Sequence, residues 1–338
     1  MVIKFLVIAI CFAASAVLTR YLIGHAKQRQ FLDIPNERSS HSTPTPTGGG
    51  VSIVVIFISF ILVAELIFNV TVDEVFVLAF TGSVLAIVGY IDDHRHISAQ
   101  LRLLVHFLVS LVLLLSLKQL PELSVFGYQW QSGWLLSGLY LIALVWLLNL
   151  FNFMDGIDGI AGVQAVTALL GAALILWSAG SSYWPIILMA LSASILGFLV
   201  FNWLPAKIFM GDAGSNFLGF ILGALALITA STGLINLWAW LILLAIFIGD
   251  STLTLLRRVK QGDKLYEAHR SHAYQILSRR WNSHVPVTLL VLCVNLIWLL
   301  PLAWAASVWP AEGILLCLLA YAPLLWFMYQ VGAGTTNH

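Results

Sequence analysis

The sequence predicts an all-α integral membrane protein with about eleven transmembrane helices. Of its 338 residues, 60% are apolar and only 9% are charged, a composition that excludes an ordinary soluble domain. Apolar runs of about 20 residues, the length that crosses a bilayer as a helix, recur along the whole chain. We find no low-complexity tract or repeat between them. Residues 1–338 are therefore expected to form a single polytopic membrane domain.

The apolar runs are assigned to spans in chain order. The first run has Lys4 ahead of it and small residues near Ala14, as a signal peptide would, but it stays apolar to Ile23 and is read as a retained helix. The eleven runs are residues 2–23, 48–69, 74–91, 101–117, 134–152, 160–178, 183–203, 215–233, 234–256, 286–307 and 311–331.

Positive charge falls on alternate loops. All 16 Lys and Arg residues except Lys4 and Lys118 lie in loops 20–47, 92–102, 153–159, 204–214 and 257–285. Loops rich in Lys and Arg stay on the cytoplasmic side of a membrane. The N-terminus is therefore expected outside and the C-terminus in the cytoplasm. The same loops hold most of the unusual polar side chains, which predicts an active site on the cytoplasmic face.

One polar stretch, "NLFNFMDGIDGIAG" at residues 149–162, lies between two apolar runs. Asn152, Asp155 and Asp158 follow one another at intervals of three, so they would share one face if the stretch were helical. Carboxylates near a bilayer are costly and usually mark a site. A polar turn between two helices is the simpler alternative, but a turn needs fewer glycines and carboxylates. The pattern favours a functional site.

Three further carboxylates lie beside apolar runs. Asp92 and Asp93 end the third run, where they oppose the helix dipole and need a compensating cation or metal. Asp212 stands between two glycines directly before a new run, where free N–H groups attract phosphate and the carboxylate could hold a divalent cation. The simpler alternatives are a solvated helix end for the pair and an N-cap for Asp212.

The last basic loop contains the sequence H-R-S-H. His269 and His272 could be metal ligands, but a zinc site needs more His or Cys partners than the sequence offers. With Arg270 between them, an anion-binding loop is favoured over a loop that only sets orientation.

These side chains point to one kind of chemistry. Carboxylate and amide oxygens suit Mg²⁺, with Mn²⁺ as the alternative, and Mg²⁺ is commonly shared between carboxylates and substrate phosphates. Basic side chains would neutralise the phosphoryl oxygens. Walker and Rossmann glycine patterns are absent from the sequence. We therefore predict a metal-assisted phosphoryl transfer with one lipid-borne substrate and no nucleic-acid partner. A transporter is the rival class, but transporters place their charges near the bilayer midplane.

The runs "DDHRHIS", "NLFNFMDGIDGIAG", "FNWLPAKIFMGDAGS" and "EAHRSHAYQ" occur in this order along the chain. In these motifs the chain resembles the polyprenyl-phosphate N-acetylhexosamine-1-phosphate transferases. The resemblance implies a multi-pass enzyme of the bacterial inner membrane that moves an N-acetylaminosugar 1-phosphate from a UDP-sugar to undecaprenyl phosphate and releases UMP. Mg²⁺ is the implied cofactor, and membrane lipids surround the enzyme, with a homodimer as one option.

The forms "PNERSSH" and "EAHRSHAYQ" resemble the members that start O-antigen or related surface-polysaccharide synthesis. A peptidoglycan or teichoic-acid precursor transferase of the same family is the alternative.

The resemblance also implies a role for each candidate residue. The implied catalytic residues are Asp92 and Asp93, placed near the polyprenyl phosphate, and Asp155 in the cleft. The implied metal ligands are Asp212 and Asn152, which also reaches the pyrophosphate. The implied substrate-binding residues are Asp158 near the uracil and Arg102, His269, Arg270 and His272 at the phosphates.

Two mechanisms fit such a site. The lipid phosphate attacks the β-phosphorus directly, or an aspartate attacks first and forms a covalent phospho-sugar intermediate. The second pKa of a phosphate monoester is about 6, so the lipid phosphate is mostly dianionic at neutral pH and leaves a general base little to remove. We favour direct attack, with Asp92 or Asp93 positioning the nucleophile.

Overall fold

The computed structural model describes residues 2–35, 43–68, 72–95, 97–131, 133–263 and 269–335. It confirms the all-α membrane fold class. Two short antiparallel hairpins are the only strands in these ranges, Leu32–Asp33 with Thr45–Pro46 and Leu123–Val125 with Tyr128–Trp130. The α-helices in order, α1 to α14, are Val2–Arg29, Val51–Phe68, Val72–Arg95, Ala99–Ser116, Trp134–Met154, Ile160–Ser178, Trp184–Asn202, Asp212–Ser231, Leu237–Leu243, Ala245–Lys260, Ala273–Arg280, Val285–Val294, Leu300–Val308 and Gly313–Val331.

Each predicted apolar run falls on a helix or on a helix pair. Among the described residues, nine helices are long and apolar enough to cross a membrane, and the bent pair α9–α10 brings the number to ten. Helix α2 adds a shorter apolar stretch, Val51–Ala64. The chain is therefore a multi-pass membrane protein, while the count of eleven and the orientation stay predictions.

Helix α8 runs through the centre of the molecule, with every residue from Ala213 to Ala230 buried. It packs against α3 on one side and α5 on the other. At Gly219 an added Cβ would lie 2.7 Å from the backbone oxygen of Leu147 on α5. Small residues allow this close backbone approach, which is how helices pack tightly in a membrane. The start of α8 is thereby held between the ends of α3 and α5.

The ninth predicted run is broken, because α9 and α10 meet at 74°. A break inside a membrane frees backbone carbonyls that need a partner. Gln164 on α6 supplies one, donating from Nε2 to the Leu243 oxygen at 2.8 Å. Asn295 on the neighbouring π-helical segment Asn295–Leu299 in turn donates to Gln164 Oε1 at 3.0 Å. The polar pair stabilises the bend, and α10 leaves it toward the candidate site.

Helix α5 does not continue through the polar stretch, so the shared helical face for Asn152, Asp155 and Asp158 is wrong. The helix ends at Met154, and residues 155–159 form a turn. Gly159 adopts φ +72°, a conformation that favours glycine, directly before α6 begins. Asn152 is therefore on α5, whereas the two carboxylates project from the turn that links α5 to α6.

Candidate active site

The ends of α3 and α5 and the beginnings of α4 and α8 meet on one side of the bundle. The link between α3 and α8 is made by Asp93. Its Oδ1 accepts the backbone N–H of Asp212 at 2.9 Å, and its Oδ2 accepts that of Ala213 at 3.4 Å. These N–H groups begin a helix and have no intrahelical partner. Asp93 therefore caps a helix that starts 119 residues further along the chain.

Because Asp93 provides this cap, the Asp212 carboxylate is free for other contacts. Asn152 Nδ2 donates to Asp212 Oδ1 at 2.7 Å and to Ser215 Oγ at 3.1 Å. Arg102 Nη1 lies 3.4 Å from Asp212 Oδ2 and also pairs with Asp92. The N-cap position itself belongs to Gly211, which has no side chain. The simple N-cap reading of Asp212 is therefore wrong.

The unfavourable interaction of Asp92 and Asp93 with the dipole of α3 is compensated by their contacts with other groups. Asp92 is compensated by the Arg102 guanidinium and by the backbone N–H of Ile97, which donates to Asp92 Oδ1 at 2.6 Å. Asp93 is compensated by the positive end of α8. Asp92 thus has the compensating cation that the sequence predicts, whereas Asp93 is compensated by a helix terminus. The alternative of a solvated helix end is wrong for Asp92, which is only 7% exposed.

Asp155 faces this group from the turn and is half-buried. Burial raises the pKa of the Asp155 carboxyl well above its ordinary value of 3.8, and the nearby charges of Asp212, Asp93 and Asp158 raise it further. A carboxyl with a raised folded-state pKa costs stability as pH rises from about 4 through that pKa, because the unfolded chain releases the proton first.

Replacing Asp155 with Asn should therefore stabilise the metal-free protein. We expect the apparent Tm in detergent and EDTA to rise by a few degrees at pH 8 and by less at pH 5, since the wild type keeps more of its proton at the lower pH. Thermal unfolding across this pH range measures the difference. Glu122→Gln, at an exposed carboxylate, is the control and should leave Tm unchanged. If the increase in Tm caused by Asp155→Asn does not grow with pH, the raised pKa of Asp155 is contradicted.

The Asp158 carboxylate contacts the loop after α7 and the segment before α12. Its Oδ2 accepts the backbone N–H of Ala206 at 2.9 Å, and its Oδ1 lies 3.3 Å from His284 Nδ1. Asn202 accepts the Gly159 N–H at 3.0 Å in the same region. Asp158 thus ties the turn after α5 to the loop after α7 and to the segment before α12. Its implied role near the uracil stays a prediction.

The H-R-S-H loop reaches the same turn through α11. The Tyr274 hydroxyl donates to the backbone oxygen of Phe153 at 2.9 Å and occupies the space that a side chain at Gly156 would need. His269 and Arg270 are half-buried beside it. His272 is only 1% exposed, and its Nδ1 lies 3.5 Å from Asp250. The loop is therefore next to the cleft, which is bordered by Asp93, Asn152, Asp155 and Asp212. His272 is buried against Asp250, and its implied phosphate contact stays a prediction.

Comparisons with known proteins fit this arrangement. Residues 75–230 match the family model described as glycosyl transferase family 4. The chain is 26% identical to the probable undecaprenyl-phosphate N-acetylglucosaminyl 1-phosphate transferase of Bacillus subtilis (strain 168), over 87% of this chain and 83% of the relative. It is 29% identical to the undecaprenyl-phosphate alpha-N-acetylglucosaminyl 1-phosphate transferase of Escherichia coli (strain K12), over 75% and 71%. The phospho-N-acetylmuramoyl-pentapeptide-transferase of Shouchella clausii (strain KSM-K16) is 29% identical, over 66% and 74%.

The chain is similar to these membrane phosphosugar transferases over most of its length. The predicted resemblance to the polyprenyl-phosphate N-acetylhexosamine-1-phosphate transferases is thereby confirmed, and so is the prediction of an enzyme. The matched segment runs from α3 to the end of α8. It includes the carboxylates of α3, the polar turn after α5 and the Asp212 segment.

The cleft of the transferase fits a magnesium ion shared with substrate. Asp212 and Asn152 offer oxygen ligands, which are the kind that Mg²⁺ prefers. Within the described ranges, no three His, Cys, Asp or Glu side chains are grouped closely enough to form a protein-only metal site. Mg²⁺ commonly binds through one or two carboxylates and takes its remaining ligands from phosphates and water, so an open site of this kind suits it.

Sequence reasoning missed several residues that shape the transferase site. Gly89 on α3 lies against the backbone of Asp212, where an added Cβ would be 2.6 Å from its carbonyl carbon and oxygen. Asn202 and His284 brace the turn after α5, and Asp250 holds the start of α11. An aspartate inside the ninth apolar run was the one available signal, because such residues are rare in spans.

Proposed function

We propose that the chain transfers an N-acetylaminosugar 1-phosphate from a UDP-sugar to undecaprenyl phosphate and releases UMP. The observation that carries the proposal is the convergence of Asp93, Asp212, Asn152 and Arg102 on the start of one buried helix. The relatives from Bacillus subtilis and Escherichia coli are named as undecaprenyl-phosphate N-acetylglucosaminyl 1-phosphate transferases, the former as a probable one. Initiation of O-antigen or related polysaccharide synthesis in a bacterial inner membrane is the pathway that we propose for it.

The proposed residue roles follow from position. Asn152 and Asp212 would hold Mg²⁺, which supplies charge neutralisation at the phosphates when bound. Arg102 lies between Asp92 and Asp212, where its guanidinium offsets two carboxylates and can turn toward an incoming phosphate. Asp93 keeps α8 in place, so its carboxylate acts on the site through Asp212. His269 and Arg270 offer cationic and hydrogen-bonding groups to the nucleotide phosphates.

The proposed reaction is a direct displacement at phosphorus. An oxygen of the lipid phosphate bonds to the β-phosphorus, the bond from that phosphorus to the bridging oxygen breaks, and UMP leaves with the bridging oxygen. One pyrophosphate link replaces another, so the reaction should be close to thermoneutral. Attack by an aspartate is the alternative, and Asp93 is a poor candidate because both of its oxygens accept backbone N–H groups.

A doubly labelled donor tests which bond breaks. UDP-N-acetylglucosamine labelled in both the β-phosphate and the sugar is incubated with the purified enzyme, Mg²⁺ and undecaprenyl phosphate. We expect both labels to enter the lipid in equal proportion, and added UMP to drive them back out. A panel of other UDP-sugars run beside it identifies the preferred sugar. Sugar label that arrives without its phosphorus, with UDP released, would overturn the proposal.

We also propose that this cleft faces the cytoplasm, because the basic loops surround it. Single cysteines at Gln261 and Gln131, both exposed, report the two faces in a background without the native cysteines. An impermeant thiol reagent added to intact cells, with the outer membrane made permeable, should label the residue at 131 and spare the one at 261. Labelling of 261 instead would reverse the orientation and move the cleft to the outer face.

A further inference from the structure

Asp250 is a buried carboxylate that the proposed reaction leaves without a role. It lies on α10, just beyond the bend, and is 1% exposed. A carboxylate in apolar surroundings is costly unless hydrogen bonds satisfy its oxygens. A protein retains such a group where its contacts do something that an apolar side chain cannot.

The contacts of Asp250 all concern the start of another helix. Its Oδ1 accepts the backbone N–H of Ala273 at 2.8 Å, and its Oδ2 accepts that of Tyr274 at 3.1 Å. These are the first two residues of α11, whose N–H groups have no partner within the helix. Thr254 donates its hydroxyl to the same carboxylate at 3.1 Å. Asp250 therefore binds the first turn of α11 from a membrane helix, in addition to the N-cap residue His272 and its partner Gln275.

The next contact leads from α11 to the cleft. Tyr274 is fixed through its N–H by Asp250, and its hydroxyl donates to the Phe153 backbone oxygen beside the Asp155 turn. Burial raises the pKa of Tyr274 well above its ordinary value, so the hydroxyl keeps its proton and remains a donor. The first turn of α11 is thus bound to α10 through Asp250 and to the end of α5 through the Tyr274 hydroxyl.

The two substrate-facing candidates of the loop directly precede this fixed point. His269 and Arg270 are half-buried, and the Arg270 backbone oxygen accepts a hydrogen bond from Arg279 on α11 at 2.9 Å. His272, with its ring 3.5 Å from Asp250, joins them to the helix. The position of the loop therefore depends on where the carboxylate of Asp250 holds the first turn of α11.

We propose that Asp250 is a positioning residue for the nucleotide-sugar phosphates: it fixes α11 so that His269 and Arg270 stand at the cleft. This inference rests on the proposed function, since it assumes that these two residues bind the UDP-sugar. Asp250 itself lies under the loop and touches no substrate. Its loss should weaken binding of the UDP-sugar and leave the lipid phosphate, which meets the α3 end of the cleft, unaffected.

The test compares Asp250→Ala and Asp250→Asn with wild type, using the UDP-sugar that the wild type transfers. We expect Asp250→Ala to raise the KM for the UDP-sugar about tenfold or more, with kcat and the KM for undecaprenyl phosphate within about threefold of wild type. Asp250→Asn keeps one acceptor oxygen for two N–H groups, so its KM for the UDP-sugar should lie between those of the wild type and Asp250→Ala. If the Ala variant does not fold, the Asn variant carries the test.

Coupling to Arg270 separates positioning from general damage. If Asp250 acts through the loop, the double variant Asp250→Ala/Arg270→Ala should raise the KM for the UDP-sugar by clearly less than the product of the two single effects. Ser15→Ala is the matched control, because Ser15 is fully buried and its hydroxyl donates to the Ser194 backbone oxygen between α1 and α7, in a contact that involves neither α10 nor α11. It should lower thermal stability without changing this KM.

Two results would overturn the inference while leaving the proposed function intact. One is an unchanged KM for the UDP-sugar in both folded Asp250 variants. The other is an equal rise in the KM values for the UDP-sugar and for undecaprenyl phosphate, or a rise of the same size in Ser15→Ala. A wild-type enzyme that transfers no sugar phosphate at all would instead remove the proposed function.

Discussion

Asp212→Asn should lower Mg²⁺-dependent turnover by at least about 1,000-fold while the protein stays folded in detergent. The substitution keeps the size of the side chain and an oxygen for the Asn152 amide to bond, so the start of α8 has no reason to move. It removes the negative charge that would hold a cation, and it turns an amide toward Arg102. The rate at saturating substrates, measured across a Mg²⁺ titration, is the readout.

The control is Glu122→Gln, which removes an exposed carboxylate. Glu122 lies in the loop between α4 and α5, at the ends of these helices opposite the cleft. It should retain the wild-type rate and the same Mg²⁺ dependence. Chelation of Mg²⁺ should lower the wild-type rate to that of the Asn variant and leave the variant unchanged. An Asp212→Asn enzyme that works at a near-normal rate, with an unaltered Mg²⁺ requirement, would remove Asp212 from the metal site.

The fold was predictable because its signal is local. Apolar runs of span length are visible without knowledge of any contact, and each of them falls on a helix or on consecutive helices. The one-sided placement of polar loops also foretold that Asp92, Arg102, Asn152 and Asp212 would be neighbours. The bend between α9 and α10 was not visible, because the Gln164 side chain that satisfies the break lies about 80 residues earlier in the chain.

The site was less predictable where partners are distant in sequence. Nothing near Asp93 indicates that it caps α8, and nothing near Asp158 indicates a pairing with His284. A single sequence carries no record of such contacts. In the polar stretch, by contrast, the sequence itself contains a signal for a turn. The glycines at 156 and 159 favour a turn, and the three-residue spacing of polar groups suggested a helix that the chain does not form.

The close approach of α3 to α8 explains why the carboxylates can meet at all. Asp93 reaches the N–H groups of α8 only because Gly89, one turn earlier, carries no side chain. Gly211, directly before α8, also leaves room for the Asp93 carboxylate. An added Cβ at Gly211 would lie 2.7 Å from Asp93 Oδ2. The geometry of the site proposed for metal and phosphate therefore depends on the absence of side chains at Gly89 and Gly211 as well as on its charged groups.

Gly89→Ala should consequently reduce activity by about 100-fold, although the substitution introduces no charge and favours helix formation. The added methyl group would lie 2.6 Å from the backbone N of Ala213 and from the carbonyl carbon and oxygen of Asp212. Backbone atoms cannot rotate away as a side-chain tip can, so α8 must move away from α3. That shift lengthens the hydrogen bonds from α8 to Asp93 and displaces the Asp212 carboxylate. The measured quantity is kcat/KM for the UDP-sugar in folded enzyme.

Gly138→Ala on α5 is the matched control, because an added Cβ there meets nothing within 4 Å. It makes the same chemical change in another membrane helix and should leave kcat/KM unchanged and stability equal or slightly higher. A reduction confined to Gly89→Ala, with normal elution from a sizing column, would place the cause at the contact between α3 and α8. A folded Gly89→Ala enzyme with the wild-type rate would show instead that the carboxylates tolerate a wider separation, and the cap by Asp93 would lose its importance for catalysis.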